Sequence, residues 1–126
     1  GAGRVGRVTV KGADQQTCER VARAVADSPL VKTALNGGDP NWGRIMQSVG
    51  MALATGKPEP IDITIEGVEV ASFGIANRFD VDALNEAVSG PEVDYEIQLE
   101  GEGAEATVYF SDLGHDYVTL NAEYTT

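Results

Sequence analysis

Apolar and polar residues alternate along Ile61-Asp62-Ile63-Thr64-Ile65-Glu66-Gly67-Val68-Glu69-Val70, and this alternation indicates a β-sheet with one buried and one solvated face. Glu66-Gly67 separates the two runs, and a turn-forming dipeptide at that place is typical of a hairpin. The segment therefore predicts two antiparallel strands, and the remaining elements can be placed around them.

Helical spacing of apolar residues on both sides of the hairpin predicts helices that cover one face of the sheet. Each helix is expected to begin at an aspartate that can cap it: Asp14, Asp39, Asp80 and Asp112. The second helix also has Pro40 at a position that suits a first helical turn. The last helix is expected to run through Leu120.

Further strands are expected where alternation returns, or where a short apolar run lies between turn signals. These segments are residues 5–10, 30–35, 93–99 and 104–110. The resulting order of elements predicts the fold class, an α/β fold of the α+β type. It is a two-layer sandwich with a mixed, mostly antiparallel sheet and helices packed on one side. Residues 1–126 are expected to form a single domain.

The formal net charge is −11 at pH 7, which argues against a nucleic-acid partner, because phosphate contacts require a basic surface. An anionic membrane is disfavoured for the same reason. The charge is uneven, since residues 1–57 carry a net +4 and residues 58–126 a net −15. A basic half that faces an anionic ligand would explain this distribution. An acidic, exposed sheet face would produce the same count without a ligand and is the preferred interpretation.

A single cysteine, Cys18, excludes an internal disulfide, and the sequence contains no signal peptide or membrane-spanning run, so the expected location is cytoplasmic. Cysteine–histidine metal spacing, a glycine-rich nucleotide loop and a nucleophile elbow are also absent, which predicts neither a metal nor a cofactor. The first residue is Gly1 rather than Met, and the chain is expected to be a piece of a longer polypeptide.

Two polar segments are candidates for ligand binding. In Asn36-Gly37-Gly38-Asp39-Pro40-Asn41-Trp42-Gly43-Arg44, a helix start with Arg44 nearby could bind a carboxylate; alternatively, Asp39 caps that helix itself. At the C-terminus, Asn121 offers a donor and an acceptor, and Thr126 offers a hydroxyl and the terminal carboxylate. This set suits the α-amino and α-carboxyl groups of an amino acid, although a disordered polar tail would have the same composition.

Three strings of residues together resemble the ornithine acetyltransferase family. They are Ser28-Pro29-Leu30-Val31-Lys32-Thr33-Ala34, Gly38-Asp39-Pro40-Asn41-Trp42-Gly43-Arg44-Ile45, and Asp112-Leu113 with Asn121-Ala122-Glu123-Tyr124-Thr125-Thr126. The resemblance implies an enzyme of arginine biosynthesis that moves an acetyl group from N-acetylornithine to glutamate, and in some members uses acetyl-CoA. It also implies a precursor that cuts itself before a threonine, which then carries the acetyl group as a covalent intermediate.

The resemblance implies that residues 1–126 are the C-terminal domain of the enzyme's β chain, with no catalytic residue of their own. The nucleophilic threonine and a substrate-contacting glutamate fall upstream of Gly1, so the chain alone is expected to be inactive. Asn121 and Thr126 match two substrate-binding positions of the family, while Arg4 and Gly114 stand where Lys and Thr are usual.

The implied partners are the α chain and the N-terminal part of the β chain, in a hetero-oligomer. The implied ligands are the amino-acid substrates N-acetylornithine and glutamate. Because the nucleophile is absent from residues 1–126, a non-catalytic amino-acid-binding or interaction module is the competing interpretation.

Overall fold

A computed structural model describes residues 3–54, 60–101, 103–112 and 120–123 of the 126-residue chain. The elements follow in the order β1 Val5–Lys11, α1 Gln15–Asp27, α2 Pro29–Asn36, α3 Trp42–Leu53, β2 Asp62–Ile65, β3 Val68–Ser72, β4 Ile75–Ala76, α4 Val81–Ala87, β5 Glu92–Gln98, β6 Glu105–Ser111 and β7 Leu120–Glu123. None of the helices within these ranges is long and apolar enough to cross a membrane.

The strands form a mixed sheet in the order β4-β3-β2-β5-β1-β6-β7. β1 runs parallel to β5, and the other neighbouring pairs are antiparallel. Val8 lies opposite Tyr95 on one side and Val108 on the other, and all three side chains are buried on the same face. Helices α1 and α3 pack on that face against β1, β2 and β6. The predicted α/β fold class, with a mostly antiparallel mixed sheet, is confirmed.

β1 is an interior strand of the sheet and lies between two strands, β5 and β6, that follow each other in sequence. Its neighbours β5 and β6 lie more than eighty residues downstream, with Val5 paired to Glu92 and to Ser111. Within β1, Gly6 is required by packing, because a Cβ at this position would lie 2.3 Å from the ring of Phe110. That ring is buried and stacks on Tyr95 at a centroid distance of 6.1 Å.

Helix α1 begins where the sequence predicts. Asp14 accepts hydrogen bonds from the Thr17 amide and the Thr17 hydroxyl, both at 2.9 Å. These bonds lower the pKa of the Asp14 carboxyl, because they favour its charged form. The buried stripe of this helix consists of Cys18, Val21, Ala22, Val25 and Ala26.

Residues 30–35 are helical, so the predicted extended segment is wrong. Ser28 caps α2 by accepting a hydrogen bond from the Val31 amide at 3.3 Å, and Pro29 occupies the first helical position. Val31, Ala34 and Leu35 are buried with the spacing i, i+3 and i+4, which is the helical period. Six residues were too short a run to distinguish this period from that of a strand.

Two other predicted helices also need correction, one at its start and one at its end. α3 begins at Trp42 with Asn41 as its cap rather than at Asp39, because the Asp39 amide donates to the Ala34 carbonyl at 2.8 Å and so still belongs to the end of α2. The helix predicted after Asp112 to run through Leu120 is wrong at its end, since Leu120–Glu123 is strand β7, paired with β6. Residues 113–119 of that prediction lie outside the described residues. The third helix does begin after its predicted cap, Asp80.

Two hairpin turns have both central residues at positive φ, as a type I′ turn requires. Glu66 and Gly67, at 48° and 78°, join β2 to β3, which confirms the predicted hairpin. Phe73 and Gly74, at 51° and 76°, join β3 to β4, and the sequence analysis did not anticipate this turn. A phenylalanine in the left-handed region is strained, since that conformation costs an L-residue about 1–2 kcal/mol.

Replacing Phe73 by Asn is expected to raise the free energy of unfolding of this chain by about 1 kcal/mol, because Asn tolerates the left-handed conformation and the exposed Phe ring contributes little packing. Urea unfolding followed by circular dichroism measures the change. Phe73→Leu is the control, since it retains the backbone cost and should leave the midpoint near its original value. A Phe73→Asn variant less stable than the original chain would contradict this account of the turn.

Candidate functional site

Hydrogen bonds connect the start of β1, the end of β6 and the end of α2. We call the residues at this place the Arg4–Asp112 corner (Arg4, Asn36, Gly38 and Asp112). The Arg4 amide donates to Asp112 Oδ1 at 2.8 Å, and the Asp112 amide donates to the Arg4 carbonyl at 3.1 Å. Asn36 Nδ2 donates to Asp112 Oδ2 at 3.0 Å. Both carboxylate oxygens of Asp112 therefore accept a bond, and they fasten β1, β6 and the end of α2 together.

The guanidinium of Arg4 lies at the C-terminal ends of two helices. Its Nη1 donates to the Val88 carbonyl at 2.9 Å and to the Leu35 carbonyl at 3.4 Å. A cation is stabilised there by the carbonyl ends of the helix dipoles. Gly38 allows the close approach, since it has a φ of +65° and a Cβ there would lie 3.1 Å from Arg4 Nη1. Arg4 thus holds α2, α4 and β1 together, rather than presenting its charge to a ligand.

The polar loop at residues 36–44 caps its own helix. Asn41 Oδ1 accepts from the Arg44 amide at 3.2 Å, and Arg44 Nη1 donates to the Leu30 carbonyl at 2.9 Å. Trp42 is partly buried and packs against the core. These bonds favour the capping interpretation over carboxylate binding, with Asn41 in the role that the sequence analysis gave to Asp39.

The structure places one of the two predicted substrate-binding residues on a strand. Asn121 lies in β7 at the register position opposite Thr107, whose hydroxyl is 3.2 Å from that of Thr9 on the next strand. Thr107 and Ser111 are four positions apart on β6, which corresponds to about 13 Å along the strand. The structure therefore does not bring Asn121 to the Arg4–Asp112 corner. Thr126 lies outside the described residues, and the binding roles of both residues stay predictions.

Cys18 has the properties of a core residue. Its side chain is fully buried, and Sγ donates to the carbonyls of Ala13 and Ala104 at 3.5 and 3.6 Å. Burial raises the pKa of the Cys18 thiol, because the thiolate would lose its solvation. A protonated, inaccessible thiol is a poor nucleophile. Among the described residues, no group of His, Cys, Asp and Glu side chains could hold a metal ion.

The face of the sheet opposite the helices is polar. Arg7 and Asp94 pair there through two contacts of 2.9 and 3.0 Å, and Lys11 lies 3.5 Å from Glu96 and 3.7 Å from Glu105. The pKa of Arg7 is raised by a hydrogen bond with Tyr109 and by the charge of Asp94. Such exposed pairs contribute little to stability. This face accounts for part of the acidic excess downstream of residue 58 and favours the interpretation that requires no ligand.

The Arg4–Asp112 corner could not be predicted from sequence, because Arg4 and Asp112 lie 108 residues apart and no local pattern connects them. Asp112 was expected to cap a following helix, and Arg4 was only a departure from a family pattern. Arg4 and Asp112 come together because β1 pairs with β6, and this pairing could not be predicted from the sequence.

The fold and these contacts define the class of the chain as a two-layer α/β domain whose described residues provide neither a reactive thiol nor a metal-ligand cluster. The chain belongs to the ArgJ family, whose model matches residues 1–126. This confirms the resemblance that the three strings indicate.

Relatives and a solved structure agree with this assignment. The chain is 44% identical over 126 residues to the arginine biosynthesis bifunctional protein ArgJ of Nitratidesulfovibrio vulgaris, covering 98% of this chain and 32% of that protein. It is 40% identical over 128 residues to the protein of the same name from Geobacter sulfurreducens, covering 100% of this chain and 33% of that protein. The crystal structure of ArgJ from Bacillus halodurans matches with a TM-score of 0.81 at 28% identity, over 93% of this chain and 56% of that chain. The chain thus spans about a third of the length of the curated relatives it matches.

Asp112→Ala is expected to lower the free energy of unfolding by about 1–2 kcal/mol, because the Arg4 amide and the Asn36 side chain both lose an acceptor. Asn36→Ala should cost less, and the double variant should cost less than the two single changes added together, because one bond is shared. Urea unfolding of the four proteins measures the coupling. Asp94→Ala, which breaks only an exposed pair, is the control. Strictly additive costs for Asn36 and Asp112 would show that the corner does not act as a unit.

Proposed function

We propose that this chain is the C-terminal segment of an ArgJ acetyltransferase that moves an acetyl group from N-acetylornithine to glutamate. The observation that carries the proposal is the family match, which extends over residues 1–126. The relatives named above are called arginine biosynthesis bifunctional proteins, and this chain corresponds to about a third of their length. Acetyl-CoA is a second donor that the same chemistry accommodates.

In this proposal the nucleophile is a threonine outside the chain. An N-terminal threonine can use its own amine as a base, and an acetyl-threonine intermediate divides one difficult transfer into two easier ones. Donors that stabilise the developing oxyanion also come from outside residues 1–126. The route requires no metal and no cofactor. The buried, protonated Cys18 is compatible with a nucleophile outside this chain, because it does not provide a competing thiol nucleophile.

The contribution of this chain is then a scaffold and a substrate-binding tail. The Asn121 amide and the Thr126 hydroxyl and carboxylate supply donors and acceptors suited to the α-amino and α-carboxyl groups of the substrates. The Arg4–Asp112 corner supports the arrangement, because the Arg4 amide donates to the Asp112 carboxylate and the Asp112 amide donates to the Arg4 carbonyl. The polypeptide that leads into Arg4 and the segment that follows Asp112 are therefore connected to neighbouring points of the fold.

The partners under this proposal are the α chain and the N-terminal part of the β chain. They would assemble with this segment into a hetero-oligomer in the cytoplasm. The chain brings to that assembly a hydrophobic core of its own, formed by the buried face of the sheet and its helices. A folded scaffold of this kind can hold a tail at a pocket that other segments complete.

The complete ArgJ protein that contains this segment is expected to exchange labelled acetyl between N-acetylornithine and glutamate, whereas residues 1–126 alone should show no exchange, because the nucleophile is missing. Chromatography of the labelled amino acids measures both. A complete, well-folded protein that fails to exchange acetyl would contradict the assignment. Amino-acid binding by residues 1–126, together with that failure, would favour the non-catalytic binding module instead.

Within the complete enzyme, Asn121→Ala and deletion of Thr126 are each expected to lower kcat/KM by about 10- to 100-fold, since each removes a hydrogen bond to a charged substrate group. The thermal midpoint should stay close to that of the original enzyme. Thr125→Ala is the matched control, because it removes the hydroxyl of the neighbouring residue, to which no substrate contact is assigned. Equal kinetics for the Thr125 and Thr126 variants would refute the role of the tail.

A further inference from the structure

The turn between β3 and β4 presents two apolar side chains to solvent. We call residues 73–75 the β3–β4 tip. Phe73 is 72% exposed and Ile75 is 70% exposed, on either side of Gly74. β4 is the edge strand of the described sheet, so the tip lies at its outer border. Two large exposed apolar groups so close together are a feature of contact surfaces.

Hydrogen bonds hold the backbone of the tip in place. The Phe73 amide donates to Asp62 Oδ1 at 2.8 Å, and the Gly74 amide donates to the Ile61 carbonyl at 2.9 Å. Behind the turn, Asn77 Nδ2 donates to Ser72 Oγ at 2.9 Å. The two apolar side chains therefore project from a fixed turn, and a partner that covers them need not order the loop first.

The residue at position 73 is unfavourable for an isolated turn in two ways. Its φ of +51° is a conformation that Asn or Gly adopts with less strain, and its ring gains little from burial in this chain. Strained residues of this kind persist where the surroundings compensate for them. Contact of the ring with another segment would supply that compensation.

The size of the tip indicates what kind of segment covers it. An aromatic side chain buries 150–250 Å², whereas a stable complex of free partners needs about 800 Å² on each side. A second copy of this chain would therefore gain too little area from the tip. A segment of the same enzyme has a high effective concentration and can use a small contact. The relatives extend over about three times the length of this chain, so such a segment is available in them.

We propose that the β3–β4 tip docks against the part of the ArgJ polypeptide that lies upstream of Gly1, with Phe73 and Ile75 inserted into an apolar surface of that part. The inference rests on the proposed function, since it takes the chain to be one segment of a larger enzyme. It adds a specific contact between this chain and the upstream part of the enzyme. That contact depends on the burial of apolar side chains rather than on the chain's negative charge.

Site-specific photo-cross-linking tests the proposal in the complete, processed enzyme. With Phe73→p-benzoylphenylalanine, irradiation is expected to join position 73 to peptides upstream of Gly1, identified by mass spectrometry. The same probe at Met51, which is 75% exposed on α3, is the control and should give several times less of that product. A cross-link from position 73 to a second copy of this segment, or none above the Met51 level, would overturn the proposal.

A stability comparison provides an independent readout. Phe73→Asn suits the turn, so it should raise the unfolding midpoint of the 126-residue chain. In the complete enzyme, Phe73→Asn also removes the docking contact. The loss of that contact should outweigh the gain at the turn and lower the thermal midpoint by about 2–4 °C. An equal gain in both proteins would show that the ring is solvent-exposed in the enzyme as well and would refute the docking.

Acetyl exchange measured on the same preparations separates this inference from the proposed function. An enzyme that exchanges acetyl but gives no upstream cross-link overturns the docking of the tip and leaves the function intact. An enzyme that gives the cross-link but exchanges no acetyl supports the docking and contradicts the function.

Discussion

The buried ring of Phe110 occupies the space that a side chain at position 6 would need, and the arrangement of the sheet depends on this contact. The Cβ of any other residue at Gly6 would lie 2.3 Å from the ring. With glycine there, β1 can lie between β5 and β6, and Phe110 can stack on Tyr95 across the strand between them. A larger residue would force the ring out of the core or displace β1, and overpacking of this kind is destabilising. With β1 in this place beside β6, Arg4, next to the start of β1, also lies within hydrogen-bond distance of Asp112, next to the end of β6.

Strand character could be predicted wherever alternation extended over several residues, as along Ile61 to Ile65 and Val93 to Leu99, because a period of two is visible without knowledge of neighbours. The order of the strands could not be predicted, because the position of β1 between β5 and β6 depends on contacts between residues more than eighty positions apart. The helix at residues 29–36 was missed because its apolar run was short. The Ser28 hydroxyl, which caps this helix, directly follows the end of α1 and so gives no separate signal in the sequence.

The candidate site was only partly accessible from sequence. The residue types at Asn121 and Thr126 indicate amino-acid recognition, but their positions relative to the rest of the fold depend on how β7 pairs with β6. The corner formed by Arg4 and Asp112 has no local signal, because its bonds join opposite ends of the chain. In the loop of residues 36–44, a helix cap was predicted correctly, but it was assigned to Asp39 and is provided by Asn41. Asn41 and Asp39 are both good caps, and only the path of the chain after α2 distinguishes them.

The position of β1 also determines the order in which this segment can fold. Among the described strands of this segment β1 is synthesised before the others, yet both of its neighbours are made late, with Val5 paired to Glu92 and Ser111. Helices α1 to α3 can begin to form locally, but the face they must cover is incomplete until β5 and β6 have left the ribosome. Closing loops of this length before any contact stabilises them makes folding slow and leaves apolar helix faces exposed for longer. The segment can therefore complete its sheet only after nearly all of it has been translated, later than a protein whose neighbouring strands are consecutive in sequence.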